Sequence, residues 1–232
     1  MLSLLFSIVV LCVVAVYVCV DGKGPAIFVI FGRPGSGKST LSGMASQKLK
    51  DCATIDLDVC VTNEMKENFD KGIYPSHEER GNILYIMHPG YNQITFIIHS
   101  LLFIVQFMEN ACKYLEEKIC SRKSSSTSCL VSFSFVNDDM RQVFRKKFKT
   151  ARWILYDTPN DIAEDRIAKR QGHFYKGAPA GHKKERRGEW EFEKIHFNHQ
   201  RIDGTKELQG NADLLAAFVR ENLNEQAPDD HR

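Results

Sequence analysis

The stretch IFVIFGRPGSGKSTLS, residues 27–42, constrains the fold of this chain more than any other part of its sequence. It fits the pattern G-x-x-x-x-G-K-S, with Gly32, Gly37, Lys38 and Ser39 at the required spacing. The apolar run AIFVIF before the glycines predicts a buried strand, and STLSGMASQKLK after them predicts a helix with one apolar face. A strand, a glycine-rich turn and a helix in this order predict a loop that surrounds phosphate groups.

The chemistry of this loop follows from its backbone. Glycines allow a tight turn in which successive N–H groups and the positive end of the following helix face one anion. We expect Lys38 to reach the β- and γ-phosphates of ATP and the Ser39 hydroxyl to bind Mg²⁺, so ATP and Mg²⁺ are the expected cofactors. The residues predicted to contact the nucleotide in this loop are Arg33, Pro34, Gly35, Ser36, Gly37, Lys38, Ser39 and Thr40.

Two carboxylates follow the next predicted strand, ATIDLD, residues 53–58. Asp56 and Asp58 are two positions apart, so on a continuing strand both would project to one face. At the carboxyl end of a parallel strand beside the loop, such groups can hold Mg²⁺ through water and accept a proton from an attacking hydroxyl. Asp56 is therefore a candidate for the metal site and Asp58 for the acceptor hydroxyl. The alternative is a turn in which an Asp only caps a helix.

Strand and helix patterns alternate about five times along the chain. Further strands are predicted at 129–135, 151–158 and 197–203. This order predicts an α/β fold of the P-loop NTPase type, a three-layer sandwich whose parallel sheet has about five strands and binds its ligand at the strands' carboxyl ends. We expect the domain to span residues 24–224 and to be followed by a flexible tail at 225–232.

The helix predicted at 138–151 is strongly basic. Its apolar residues Met140, Val143, Phe144 and Phe148 are expected to face inward, and its basic residues Arg141, Arg145, Lys146, Lys147 and Lys149 to face outward. The whole chain balances 31 Lys and Arg against 29 Asp and Glu, which leaves a net charge of +2 and no global electrostatic reason to expect nucleic acid as a partner. A solvated helix face is the expectation, with nucleic-acid or acidic-membrane binding as the alternative.

None of the first twenty residues carries a formally charged side chain. Twenty residues are about the length of a helix that spans a hydrocarbon core. We expect residues 1–20 to form an apolar helix that anchors the chain in a membrane as a single pass. Lys23 on its carboxyl flank favours a cytosolic domain, and the alternative is a cleaved signal that directs the chain to the secretory pathway. A second apolar run, residues 94–108, is short for a span and continues into polar sequence, so a long helix beside the sheet is predicted there.

A basic segment follows the helix predicted at 159–171. Arg166 and Arg170 are four apart and are expected to share one face of that helix. The stretch GHFYKGAPAGHKKERRG, residues 172–188, is rich in glycine and basic residues, as expected of a lid that closes over phosphates and excludes water. The alternative is a solvated helix end whose cations answer the helix dipole.

These motifs together resemble a known group of proteins. The phosphate loop, IDLD (55–58), KGIYPSHEER (71–80) and above all RIAKRQGHF (166–174) are similar to gluconokinases and, more distantly, shikimate kinases, small P-loop kinases of the nucleoside-monophosphate-kinase type. The resemblance implies that Arg166 and Arg170 act as catalytic lid cations beside Lys38 and Asp58. It also implies substrate contacts from Arg80 and His173 and a contact of Thr205 with adenine.

One part of the chain departs from the resemblance. Gluconokinases carry lysine in a run after the third core strand, where this chain reads FSFVND, with Asn137 and Asp138 in the place of lysines. A carboxylate on the acceptor would lose a partner there, so gluconate itself is not the expected substrate.

The sequence as a whole predicts an ATP-dependent phosphotransferase that acts on a hydroxyl of a small polar metabolite, a sugar acid or a similar carbohydrate-like molecule. Its partners are expected to be that acceptor and, through residues 1–20, a membrane, and the oligomeric state stays open, a homodimer included. Two alternatives are a membrane-anchored nucleotide-binding protein without turnover and a nucleic-acid end kinase, the latter suggested by FRKKFK and HKKERR.

Overall fold

Five parallel strands form the centre of the structure. The computed structural model describes residues 25–70, 107–119, 128–171 and 193–224. The strands are β1 (Ala26–Phe31), β2 (Cys52–Asp56), β3 (Ser128–Phe133), β4 (Arg152–Asp157) and β5 (Gln200–Asp203). The helices are α1 (Lys38–Ser46), α2 (Asn63–Asp70), α3 (107–119), α4 (Asp138–Lys147), α5 (Asn160–Ala168) and α6 (Leu208–Asn224), with a short 3₁₀ helix at Leu57–Cys60.

The strand order in the sheet is β2-β3-β1-β4-β5, and every pair is parallel. β1 lies in the middle, where Ile30 is in register with Ser132 of β3 and with Ile154 of β4. Four consecutive residues of β1, Phe28 to Phe31, are fully buried, because a central parallel strand is covered on both faces. All carboxyl ends of the strands lie at one edge, which is where the phosphate loop follows β1.

Helices cover both faces of the sheet. Val29 and Phe31 of β1 point into an apolar cluster that includes residues of α3 and α4. Phe28 and Ile30 point the opposite way, into a cluster with residues of α1 and α6. This arrangement of helix, sheet and helix confirms the predicted three-layer α/β fold and the parallel sheet of five strands.

The described part of the second apolar run is helical and packs on the sheet. In α3, Phe107, Met108, Ala111 and Leu115 are buried at helical spacing in the same cluster as Val29 and Phe31. Residues 94–106 lie outside the described part of the chain. Among the helices that the structure describes, none combines the length and apolar character needed to cross a membrane.

Several predictions concern residues outside the described ranges. These are the apolar helix at 1–20, the tail at 225–232 and the lid segment at 172–188. The domain limits of 24 and 224 therefore stay predictions.

The orientation predicted for Arg141 is wrong. Arg145, Lys146, Lys147 and Lys149 are exposed as expected, but the Arg141 side chain is fully buried. Its guanidinium donates to main-chain carbonyls and lies 5.7 Å from the centre of the Phe31 ring, so the helix buries a cation on its apolar side.

Candidate active site

The phosphate loop connects β1 to α1 and depends on two glycines with positive φ. Gly35 has φ of 80° and Gly37, the residue before α1, has φ of 97°, a conformation that side chains rarely adopt. A Cβ atom at Gly35 would also lie 2.7 Å from the Ile167 side chain of α5. The loop therefore keeps its shape only with glycine at these positions, and α5 packs directly against it.

Lys38 is the first residue of α1 and its side chain turns back over the loop. The side chain is 8% exposed, and Nζ donates to the Arg33 carbonyl at 2.8 Å and to Ser36 Oγ at 3.3 Å. Burial lowers the pKa of Lys38 to about 8, the nearby Asp58 and Asp56 act in the opposite direction, and Arg170 lowers it further. An ammonium group held in this way can exchange two neutral acceptors for phosphate oxygens.

Ser39, in the first turn of α1, and Asp56, the last residue of β2, lie beside each other. The Ser39 hydroxyl donates to Asp56 Oδ2, and Ser132 Oγ of β3 lies 3.5 Å from Ser39 Oγ. Hydroxyl and carboxylate oxygens are ligands that Mg²⁺ prefers. The structure thus brings together the two residues predicted to hold the metal.

The prediction that Asp56 and Asp58 continue one strand is wrong. β2 ends at Asp56 and the chain turns into the 3₁₀ helix, whose first turn Asp56 caps by accepting from the Asp58 N–H at 3.0 Å. Capping, the alternative interpretation of Asp56, is therefore observed for Oδ1 while Oδ2 accepts from Ser39. Both carboxylates still act on the charge of Lys38, so both lie close to the loop.

Arg166 and Arg170 approach the loop from α5. Arg166 Nη1 donates to the Ser36 carbonyl at 2.7 Å, and Thr158 Oγ1 donates to the same oxygen at 3.3 Å. The helix ends at Ala168, earlier than expected, and Arg170 follows in a turn in which its N–H donates to the Ile167 carbonyl. Only Arg166 lies within α5, so the two arginines do not share one face of that helix as predicted. The positive charge of Arg170 contributes to the lowered pKa of Lys38.

Thr205 lies in the loop between β5 and α6, on the far side of β4 from Asp56. Its N–H and hydroxyl both donate to Asp203 Oδ1, at 2.9 and 2.6 Å, and these bonds lower the pKa of Asp203. The buried Asn211 donates to the Asp203 carbonyl at 2.8 Å and fixes the loop from below. Thr205 is exposed at this edge of the sheet, separate from the residues around Lys38.

A cavity of about 330 Å³ opens between the phosphate loop and the segment before β5. It is lined by Arg33 of the loop, by the end of β4 and by Glu193, Lys194, Ile195 and His199. Asp157 at its wall pairs with Arg201, with oxygen–nitrogen distances of 2.6 and 2.8 Å. Sequence patterns did not single out Glu193 or Lys194, which lie in a segment without a motif, or His199, which falls within the strand predicted at 197–203 but precedes β5 in the structure.

The other two predicted substrate residues, Arg80 and His173, lie outside the described part of the chain. Asn137 and Asp138, which stand where the resembling family has lysines, begin α4: Asn137 precedes its first turn, and Asp138 Oδ2 accepts from Gln142 at 2.7 Å. They present a carboxylate and an amide at this position and no cation.

The fold is shared with small kinases of known structure. The structure is similar to that of a sugar kinase from a Janibacter species, with a TM-score of 0.55 and 17% sequence identity over 84% of this chain and 95% of that one. It is also similar to a gluconokinase from Sinorhizobium meliloti, with a TM-score of 0.53 and 18% identity over 88% of this chain and 99% of that one.

No protein-family model matches this chain, and no curated protein matches it. The two structural similarities confirm the resemblance to small P-loop kinases at the level of the fold. The acceptor and the turnover depend on the residues of this chain.

Proposed function

We propose that this protein is an ATP-dependent phosphotransferase that moves the γ-phosphoryl group to a hydroxyl of a small polar metabolite. The observation that carries the proposal is the contact between Ser39 and Asp56 beside the buried Lys38, at the end of a glycine loop. A loop that only turned the chain from a strand to a helix would not need a buried cation whose charge two nearby carboxylates favour.

The residues around the loop fit ATP and Mg²⁺. Positive φ at Gly35 and Gly37 turns the backbone at the start of α1, where N–H groups and the helix dipole favour an anion. Mg²⁺, when bound, would supply positive charge that neutralises the charge developing on the phosphates during transfer. Ser39 and Asp56 would hold it, and Lys38 would exchange the Arg33 carbonyl for phosphate oxygens.

The arginines supply the remaining charge. Arg166 already donates to the loop at the Ser36 carbonyl, and Arg170 lies close enough to influence Lys38. Guanidinium groups bind phosphate oxygens with two parallel bonds, which suits stabilisation of a transferring phosphoryl group. Asp58 would orient or deprotonate the acceptor hydroxyl, because it follows β2 on the side of the loop where Ser39 and Asp56 lie.

The acceptor is proposed to be carbohydrate-like, a sugar acid or a related polyol. Support comes from the fold shared with a sugar kinase and a gluconokinase, and from polar groups that line the cavity beside Arg33. Asn137 and Asp138 at the start of α4 offer hydrogen bonds to hydroxyls but no cation to a carboxylate, so an acceptor bound there through its hydroxyls suits this chain better than one bound through the carboxylate of gluconate.

The test is ADP release by the full-length protein with ATP, Mg²⁺ and a panel of polyols, sugars and sugar acids. The expected result is turnover with a subset of the panel that disappears in Lys38→Ala and persists in Lys50→Ala, a change at an exposed lysine remote from the loop. ATP binding without turnover on any acceptor would instead favour the nucleotide-binding protein without activity. Oligonucleotide binding that falls steeply with salt would favour the nucleic-acid end kinase.

The proposal includes attachment to a membrane through residues 1–20, with the kinase domain on the cytosolic side. Full-length protein is expected to resist carbonate extraction from membranes, as spanning helices do and peripheral ones do not. Recovery of the chain in the soluble fraction would contradict this part of the proposal and leave the enzymatic part intact.

A further inference from the structure

Arg141 joins two segments of the chain that are remote in sequence. Its side chain has no exposed surface. Nε donates to the Phe135 carbonyl at 2.8 Å and Nη2 to the Val136 carbonyl at 2.7 Å, in the turn after β3. Nη1 donates to the Glu193 carbonyl at 2.8 Å and to the Lys194 carbonyl at 3.4 Å, in the segment before β5. One guanidinium therefore holds both segments.

The Glu193 side chain strengthens the same connection. Its Oε2 accepts from the Asp138 N–H at 2.5 Å, so it caps the first turn of α4 from 55 residues away. The Glu193 N–H donates to the Val136 carbonyl at 3.4 Å. We call Arg141, Phe135, Val136, Asp138 and Glu193 the Arg141 cluster.

The Arg141 cluster contacts the site on two sides. In the turn after β3, the Ser134 carbonyl accepts from the N–H of Gly32, the first residue of the phosphate loop, at 3.4 Å. In the segment before β5, Glu193, Lys194, Ile195 and His199 line the cavity opposite Arg33. The cluster thus connects the turn that contacts the start of the loop with the segment that lines the cavity.

We propose that Arg141 is a positioning residue of the transfer site. It holds the turn at 134–137 and the cavity wall at 193–199 in fixed places relative to Gly32 and Arg33, so that an acceptor in the cavity meets the nucleotide in reactive alignment. This inference rests on the proposed phosphotransferase function. Arg141 itself touches no substrate, because its donors are directed at main-chain carbonyls and its surface is covered.

The geometry explains why arginine stands at this position. Its planar fork offers donors in several fixed directions, which two separate pairs of carbonyls require. A lysine would supply one point charge and could not hold both segments at once. Loss of the fork would leave buried carbonyls without donors and let the two segments separate.

The experiment compares Arg141→Ala and Glu193→Ala with Lys146→Ala, an exposed basic position on the same helix. Displacement of a reacting group by a fraction of an ångström to an ångström is costly, so kcat/KM for the acceptor should fall about 10²-fold in Arg141→Ala and about tenfold in Glu193→Ala. The Kd of ATP, measured by calorimetry, should change by no more than about twofold, because the loop and Lys38 are untouched. Assays are run at a temperature where circular dichroism shows each variant fully folded.

Chemical rescue separates positioning from a general loss of structure. Millimolar guanidinium should restore part of kcat in Arg141→Ala by occupying the space of the lost side chain, whereas ammonium at the same concentration should not. A folded Arg141→Ala variant with wild-type kcat/KM would overturn the inference. Equal losses in ATP affinity and acceptor turnover, without rescue, would also overturn it. Should Arg141→Ala fail to fold, Glu193→Ala decides the same comparison.

Hydrogen exchange keeps the inference separate from the proposed function. Absence of turnover in the wild-type protein would contradict the phosphotransferase proposal. Whether Arg141 holds the two segments in place would then be decided by amide exchange alone. Faster amide exchange at 134–137 and 193–199 in Arg141→Ala or Glu193→Ala, with β2 and α6 unchanged, would support positioning. Unchanged exchange in both segments would overturn it.

Discussion

Lys38 and Arg141 are two buried cations on different sides of the first strand, and their surroundings differ. Lys38 has two neutral acceptors, the Arg33 carbonyl and Ser36 Oγ, with Asp56 and Asp58 nearby. Arg141 donates to carbonyls of four different residues. Burial lowers the pKa of both groups, but of the two cations only Lys38 lies beside the glycine loop that precedes α1.

The difference shows that a buried cation can either fix segments of the main chain or serve a ligand site. Arg141 has its partners within the chain, which suits a cation that fixes main-chain segments. Lys38 has few partners and a burial cost that a bound phosphate would relieve, which suits a cation that serves a ligand. Substitution at the two positions should therefore affect activity and stability in opposite proportions.

The largest expected effect is on phosphoryl transfer. Lys38→Met should lower the rate about 10³-fold, because the phosphates lose a charged donor. ADP release with the best acceptor measures it, and Lys50→Met serves as the matched control. A rate within about tenfold of wild type would remove Lys38 from the catalytic residues.

The second effect is on stability, and it belongs to the other cation. Arg141→Met should lower the free energy of unfolding by about 3–4 kcal/mol, because several buried carbonyls lose their donors. Urea unfolding followed by circular dichroism measures the change, with Lys146→Met as control. A loss below about 1 kcal/mol would mean that water or neighbouring groups replace the guanidinium.

The third effect is a gain in stability from the same substitution that lowers activity in the first prediction. Lys38→Met should raise the free energy of unfolding of the nucleotide-free protein by about 2 kcal/mol at pH 7, because it removes the cost of burying a charge. The folded pKa of Lys38 is about 8 and its ordinary value is 10.5, so the unfolded chain holds more protons between these values and wild-type stability rises with pH there.

The gain in the free energy of unfolding from Lys38→Met should therefore be complete below pH 8 and shrink towards pH 10.5. Urea unfolding of both proteins at pH 7 and at about pH 9.5 tests this sign. An equal gain at both pH values would mean that the shape of the side chain, and not its charge, causes the difference in stability between the two proteins.

The smallest effect is a proton taken up on binding. Near pH 8 Lys38 is about half protonated in the free protein, and bound phosphates would favour its charged form, so ATP binding should take up about half a proton. Calorimetry in two buffers of different ionisation enthalpy measures this uptake. It should vanish in Lys38→Met, and uptake that persists there would assign the proton to another group.

Sequence patterns located the sheet and the loop well, because local rules determine them. AIFVIF was predicted as a strand and is β1, since four consecutive buried residues suit only a strand covered on both faces. The contact of Ser39 with Asp56 was expected only from the general rule that the carboxyl ends of parallel strands share one edge of the sheet, since β3 lies between β1 and β2.

Arg141 shows where sequence patterns fail. It lies three and seven positions before Phe144 and Phe148, so helical spacing alone would have placed it on the apolar face. Its charge predicted exposure, and the partners that permit burial, the carbonyls of Glu193 and Lys194, are 52 and 53 residues away. A hydrogen bond from a side chain to main-chain carbonyls of a remote segment without a pattern leaves no signal in the sequence.

The order of the strands also determines when this protein can fold during its synthesis. β1 and β2 are made first, but they are not neighbours, because β3, which begins at Ser128, lies between them. Until the ribosome has delivered β3, the N–H and C=O groups on the edges of the first two strands lack their partner, a state in which strands pair with other chains. A nascent chain that stops before Ser128 therefore has the phosphate loop in its sequence but no sheet to build it on, and should depend on chaperones to stay in solution.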